Sequence, residues 1–232
     1  MATQKQRPPA HVTDAEVGRF RLACSKAGRF ETVGIGCSKP EHTSGMFLAA
    51  DLMNAEPISN KLADIIAKQR PPSIVVHNTA ELVIAPFSDT TLEDCQRAWA
   101  DMVQSAAILL RGNLLPIERG SGGTVIASGA TASLCGCGKI SAFASAKFAL
   151  RALAQSMARE LGPKNIHVAH AIIDGAIDSN FIRENMPNVD EKRAEEAILP
   201  PEEIARNYVW LHEQQRSAWT HEIDLRPWQE RW

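Results

Sequence analysis

Short apolar runs alternate along this chain with longer stretches in which apolar residues recur every three or four positions. The short runs read as strands, at Glu31–Gly36, Met46–Ala50, Ser73–Val76, Gly123–Ala127, Ile166–Ile173 and His221–Leu225. Ser73-Ile74-Val75-Val76 is short, apolar and β-branched, the pattern of a strand buried on both faces. The longer stretches read as helices. Thr13-Asp14-Ala15-Glu16 fits a capping box, Val17, Phe20, Cys24 and Ala27 follow at helical spacing, and Gly28 is placed to end the turn. Residues 54–69 form a second helical stretch, stopped by Pro71-Pro72. Thr90-x-x-Glu93 opens a long helix whose apolar face holds Cys95, Trp99, Met102, Val103, Ala106 and Leu110. Residues 141–161 are dense in Ala and Ser and stop at Gly162-Pro163, and Pro201 opens a last helix where its missing N–H costs nothing.

Strands alternating with helices predict a parallel sheet covered on both faces, in one α/β domain over residues 13–232. Residues 1–12 read as a flexible arm. Ligands of such sheets bind at the carboxyl ends of the strands. That places candidate chemistry near residues 37, 51, 77, 128 and 174.

Composition narrows the function classes. The 232 residues carry a formal net charge of −2, with no basic excess for nucleic acid or an anionic membrane. No apolar run approaches the roughly 20 residues that span a bilayer. The polar start, MATQKQRPPAHV, has no apolar segment typical of a signal peptide, so the cytoplasm is the expected location. The five cysteines are scattered, unlike a secreted disulfide framework. Cys135-x-Cys137 has no further Cys or His cluster at ligand spacing, and no metal is expected. His167 and His170 differ by three and face opposite sides of a strand, which also argues against a metal pair.

The most specific stretch runs Gly123-Thr-Val-Ile-Ala-Ser-Gly-Ala-Thr-Ala-Ser, then Phe143-Ala-Ser-Ala-Lys147, then Ala158-Arg-Glu-Leu-Gly-Pro-Lys-Asn-Ile-His-Val, ending at Asp174-Gly175. From about residue 73 to 185 this order resembles the short-chain dehydrogenase/reductase family. That family has a strand ending in Ser, a Tyr-x-x-x-Lys helix and a strand ending in Pro-Gly. The resemblance implies a Rossmann-like doubly wound sheet, NAD or NADP as cofactor, and hydride transfer involving a small carbonyl or alcohol compound.

Carried over by position, the family's lysine falls on Lys147 and its tyrosine on Phe143. A phenyl ring has no proton to give or take. The only tyrosine, Tyr208, lies on the late helix. The family's serine falls on Ala130, with Ser128, Thr131 and Ser133 as nearby hydroxyls. Its helix asparagine, counted back from Gly123, falls on Met102, with Gln104 close by. The candidate catalytic set is therefore Lys147, Ser128, Thr131 and Phe143. The Asn-Asn-Ala-Gly segment reads His77-Asn78-Thr79-Ala80, and the adenine-side Asp reads Asp51-Leu52. Candidate cofactor contacts are Asp51, Leu52, Asn78, Thr79, Lys147, Asp174 and Gly175. Lys39 is a candidate for a 2′-phosphate, His77 for an acid or base, and Asp174 alternatively caps the segment after its strand.

The family opens on a strand and a Gly-x-x-x-Gly-x-Gly turn. With residues 13–28 read as the first helix and 31–36 as the second strand, the first strand and that turn are missing. The resemblance further implies a homodimer or homotetramer. The aromatic tail, Trp219, Trp228 and Trp232, reads equally as interface or as packing within one subunit. Two functions stay open: an impaired or altered oxidoreductase or repurposed enzyme, and a catalytically silent binding or assembly protein.

Overall fold

The computed structural model describes residues 9–14, 30–36, 46–52, 54–68, 71–120 and 122–230. Seven parallel strands form one sheet: β1 (Pro9–Asp14), β2 (Glu31–Gly36), β3 (Met46–Ala49), β4 (Ile74–Asn78), β5 (Gly123–Ser128), β6 (Ile166–Ile173) and β7 (Glu222–Leu225). Their spatial order is β3-β2-β1-β4-β5-β6-β7. The order reverses between β1 and β4, which opens a crevice at the carboxyl ends of those two strands. This is the parallel sheet expected from the alternation, in the doubly wound, Rossmann-like order that the resemblance implies.

Alternate residues of the central strands face opposite layers. Val75, Val125 and Val168 pack with Leu62, Leu109 and Leu150 under α1 (Ala55–Lys68), α3 (Ser105–Arg119) and α4 (Ser141–Leu161). Ile74, Val76, Ile126 and Ala169 pack with Ile204, Tyr208 and Leu211 of α7 (Pro201–Glu213). Both layers are apolar because a parallel sheet is covered on each face. Two short helices, α5 (Asn180–Asn185) and α6 (Val189–Ala194), lie between β6 and α7.

The first strand is present, which corrects the reading of residues 9–12 as part of an arm and of Thr13 as a helix cap. Thr13 pairs with Ile35 on one side and His77 on the other. Ala10 and Val12 are buried at 2% and 1% exposure. Pairing on both edges supplies more partners than a local capping box can, so tertiary context overrides the motif. The remainder of the predicted helix, including Gly28, lies outside the described residues.

The helix after β4 also shifts by one residue. Thr91, not Thr90, caps α2 (Leu92–Trp99), exchanging bonds with Asp94 in the box. Thr90 Oγ1 instead donates to Pro86 O at 3.0 Å. A π turn, Ala100–Gln104, joins α2 to α3. In the tail, Trp219 stacks on His167 with centroids 4.9 Å apart, whereas Trp228 is 75% exposed. Trp232 lies outside the described residues. Among the described residues, no helix is long and apolar enough to cross a membrane.

Candidate functional site

The carboxyl ends of β4, β5 and β6 gather around Lys147. Small residues of α4, Ala142, Ala146 and Ala154, are buried against the sheet, and this close approach brings the lysine one turn after Phe143 beneath the end of β5. Lys147 is 3% exposed and its Nζ donates to the Ser128 carbonyl at 2.9 Å. Its ammonium lies 5.6 Å from the Phe143 ring centroid, within cation–π range. Burial pushes the Lys147 pKa down to about 8, against the opposing pull of Asp101. The ring that replaces a phenol thus touches the lysine's environment but brings no exchangeable proton.

On the β4 side, His77 is 1% exposed and sits within a hydroxyl cluster. Its Nε2 lies 2.8 Å from Ser105 Oγ and 3.1 Å from Thr79 Oγ1. Thr79 donates to the Asp101 carbonyl at 2.6 Å, and Ser105 donates to the same carbonyl. Each hydroxyl has one hydrogen, and both are spent on that carbonyl. Nε2 must therefore carry the imidazole proton and Nδ1 the bare lone pair. Nδ1 is buried and has no partner among the described residues. Burial, and next the charge of Lys147, push the His77 pKa down to about 3, so the ring is neutral. Asp101 is shifted upward by burial and by Glu81. The π turn positions this group; such turns often occur at functional sites. Met102, where gapless counting placed the helix asparagine, is 0% exposed and belongs to the core. Its neighbour Asp101 is the helix residue that interacts with Lys147.

On the β5–β7 side, the hydroxyls have protein partners. Ser128 Oγ lies 2.6 Å from Tyr208 OH across the sheet layer, a bond buried at both ends. Thr131 donates to Asp174, and Asp174 forms an ion pair with Arg226 at 3.0 Å. Ser133 Oγ accepts from the Ala130 N–H at 3.1 Å. His170 Nδ1 meets Glu222 Oε2 at 3.1 Å, and Arg151 donates to both oxygens of that carboxylate at 2.7 Å. Burial pushes the His170 pKa down to about 4. A Cβ on Gly129 would come within 2.3 Å of His170 Nε2, so only glycine lets the loop cross there. Gly175 has φ 140° and packs under Pro227, which again demands glycine.

The predicted cofactor residues occupy the same edge. Asp51 follows β3 and is exposed, whereas Leu52 is buried at 6%. Asn78 ends β4 beside Asp14 of β1, and Thr79 is buried at 4%. Asp174 and Gly175 follow β6. A dinucleotide fits these groups at its two ends: an exposed carboxylate can meet ribose or adenine donors, and Lys147 offers a cation at the other end. At the phosphate end, the turn after β1 lies outside the described residues, and only its sequence can be compared. Laid from the end of β1, the family glycine spacing falls on Asp14, Gly18 and Phe20, so one glycine of three is kept. Lys39 lies outside the described residues. Sequence reasoning missed Asp101 and the pairing of Ser128 with Tyr208; no local signal carries either.

Comparisons with known proteins agree with this architecture. A family model described as enoyl-(acyl carrier protein) reductase matches residues 37–223. Carbonyl reductase [NADPH] 2 of Sus scrofa is 31% identical over 131 residues, 52% of this chain and 52% of its own length. L-xylulose reductase of Mus musculus is 26% identical over 162 residues, 66% of this chain and 64% of its own. The matched stretch thus spans between half and two thirds of those two relatives. Among solved structures, a short-chain dehydrogenase from Rhodopseudomonas palustris is 30% identical. Its TM-score is 0.73, over 94% of this chain and 99% of that one. An NADPH-bound short chain oxidoreductase from Pseudomonas aeruginosa PAO1 is described as containing an atypical catalytic center. It is 16% identical with a TM-score of 0.82 over 97% and 99% of the two chains, a likeness of fold.

Proposed function

Because the chain belongs to the short-chain dehydrogenase/reductase family of oxidoreductases, we propose that it uses NAD or NADP to reduce a small carbonyl compound, or to oxidise the matching alcohol, with Lys147 in place of a phenol as proton donor. The observation that carries this reading is the retained lysine, buried, neighbour to Phe143, and shifted down to about 8. A group of that acidity gives up a proton near neutral pH far more readily than an ordinary lysine. The names of the carbonyl and L-xylulose reductases support the carbonyl direction.

When bound, the nicotinamide supplies the hydride. Asp51 and Leu52 would face its adenine end, and Asn78, Thr79 and Lys147 its ribose on the nicotinamide side. Asp174 and Gly175 would lie at the ring's end of the crevice. Lys147 holds the proton at Nζ, delivers it to the carbonyl oxygen as charge develops there, and regains one from water. The Ser128 carbonyl keeps Nζ in place. Losing a positioned general acid typically costs roughly 10²–10⁴ in rate, so slow turnover is expected.

A second reading, a catalytically silent binding or assembly protein, draws on the β5–β7 side. There Ser128 and Thr131 point their hydroxyls at Tyr208 and Asp174. The half-exposed Trp99, Leu115 and Phe148 on α2, α3 and α4 support a homodimer or homotetramer in either case.

The test is a panel of small aldehydes and ketones with NADH and NADPH, followed across pH. Turnover that falls as pH rises through about 8, and is abolished in Lys147→Ala, is the expected result. Turnover equal in Lys147→Ala excludes the lysine as the acid. No turnover with any compound favours the silent reading.

A further inference from the structure

The loop between β5 and α4 carries two thiols that the reaction above does not use. Cys135 and Cys137 are both exposed, and their sulfurs lie 3.5 Å apart. Gly136 separates them, and a Cβ on Gly136 or Gly138 would meet no atom within 4 Å, so the chain between and beyond the sulfurs has open space. The loop is tied at both ends. The Cys135 N–H donates to Thr131 O at 3.1 Å, and Lys139 O accepts from the Ala85 N–H at 2.9 Å. These ties fix the two ends of the loop, and the glycines between them have open space beside them. A disulfide has an S–S distance of about 2.0 Å, so closing the pair asks for a movement of roughly 1.5 Å.

We propose that Cys135 and Cys137 form a reversible dithiol–disulfide site that reacts with small-molecule disulfides. The site needs neither a dinucleotide nor a carbonyl substrate, so it stands apart from the function proposed above. The thiolate of Cys135 attacks one sulfur of the small disulfide, and the other sulfur leaves as a thiolate that takes up a proton. Cys137 then loses its proton and attacks the Cys135 sulfur of the mixed disulfide, releasing the second small thiol. The two cysteines lose two protons and two electrons, and one small disulfide takes them up to become two thiols. Cys137 is shifted upward by its hydrogen bond to Cys135, so it stays protonated through the first step. Closure acts on the Cys135 backbone and, through its bond to Thr131 O, on the segment that meets Asp174.

Trypsin cleavage after Arg119 and Lys139 leaves both cysteines on one peptide, Gly120–Lys139. The full chain is equilibrated in glutathione mixtures of rising disulfide content, quenched with an alkylating reagent, digested and weighed. The expected product is that peptide lighter by two hydrogens, with neither sulfur alkylated, returning to the dialkylated form on reduction. In Cys135→Ser, a lasting glutathione adduct should build up on Cys137 instead. Independent adducts on both sulfurs of the unaltered chain, or two alkylated sulfurs in every mixture, would overturn the proposal.

Discussion

The two sides of the Lys147 pocket are built from similar residues and use them differently. On the β4 side, Thr79 and Ser105 share one carbonyl acceptor, that of Asp101, His77 Nε2 bonds to their two oxygens, and its Nδ1 has no partner among the described residues. On the β5–β7 side, Ser128 is matched by Tyr208, Thr131 by Asp174, and Asp174 by Arg226. A hydroxyl held by a buried partner must break that bond before it can serve a substrate, at a net cost of about 1 kcal/mol or more. The comparison teaches that residue type alone does not mark a site. Polar capacity that the fold has not already consumed does, and here it lies on the side of β4 and the π turn.

The change that probes this contrast most strongly is Phe143→Tyr. It returns a phenol to the neighbourhood of Lys147 without touching either side. Carbonyl reduction, followed by loss of the reduced nicotinamide's absorbance, should rise by about 10²-fold. An unchanged rate would mean that the β5–β7 side, with its engaged hydroxyls, limits the reaction instead.

The β4 side also makes a prediction about acid. His77 has its folded pKa pushed down to about 3, below the ordinary value of 6.5. As pH falls below 6.5, the unfolded chain takes up that proton and the folded chain does not. Stability is therefore lost as pH falls from 6.5 toward 3, by about 2 kcal/mol from this residue between pH 7 and pH 5. Urea unfolding of the native chain and of His77→Asn at both values should show the variant losing about that much less. Equal losses would place the acid sensitivity elsewhere; His170, pushed down to about 4, is the next candidate.

The smallest effect belongs to the other side. Tyr208→Phe removes one partner of the buried bond to Ser128 and should cost about 1–2 kcal/mol in urea unfolding. It should leave the Lys147 pocket intact, since the Ser128 carbonyl still accepts from Nζ. A loss near zero would mean that Ser128 finds another partner at once.

Much of this was legible in the sequence from β4 onward. Runs such as Val125-Ile-Ala and Ile166–Ile173 are apolar enough to be buried on both faces, and their ends are where the reactive groups gather. Lys147 and Phe143 could be placed because their spacing matches the Tyr-x-x-x-Lys of the family the chain resembles. β1 was not legible. It offers two buried apolar residues, Ala10 and Val12, beside a plausible capping box, and only pairing with β2 and β4 decides in favour of a strand. Asp101 was missed because it matches no position of the family's motif; the gapless count from Gly123 lands on its neighbour Met102, and the pull of Asp101 on Lys147 shows only in the folded chain. The Ser128–Tyr208 bond joins residues 80 apart. No local pattern announces such a pair.

The most direct test is a calorimetric titration of the native chain and of Lys147→Met with NADH and NADPH. The account predicts measurable binding of at least one dinucleotide by the native chain, weakened tenfold or more in the variant, as expected for loss of a charged hydrogen bond of roughly 1.5–3 kcal/mol. Absence of binding to the native chain at millimolar dinucleotide, or equal affinity in both proteins, would contradict it.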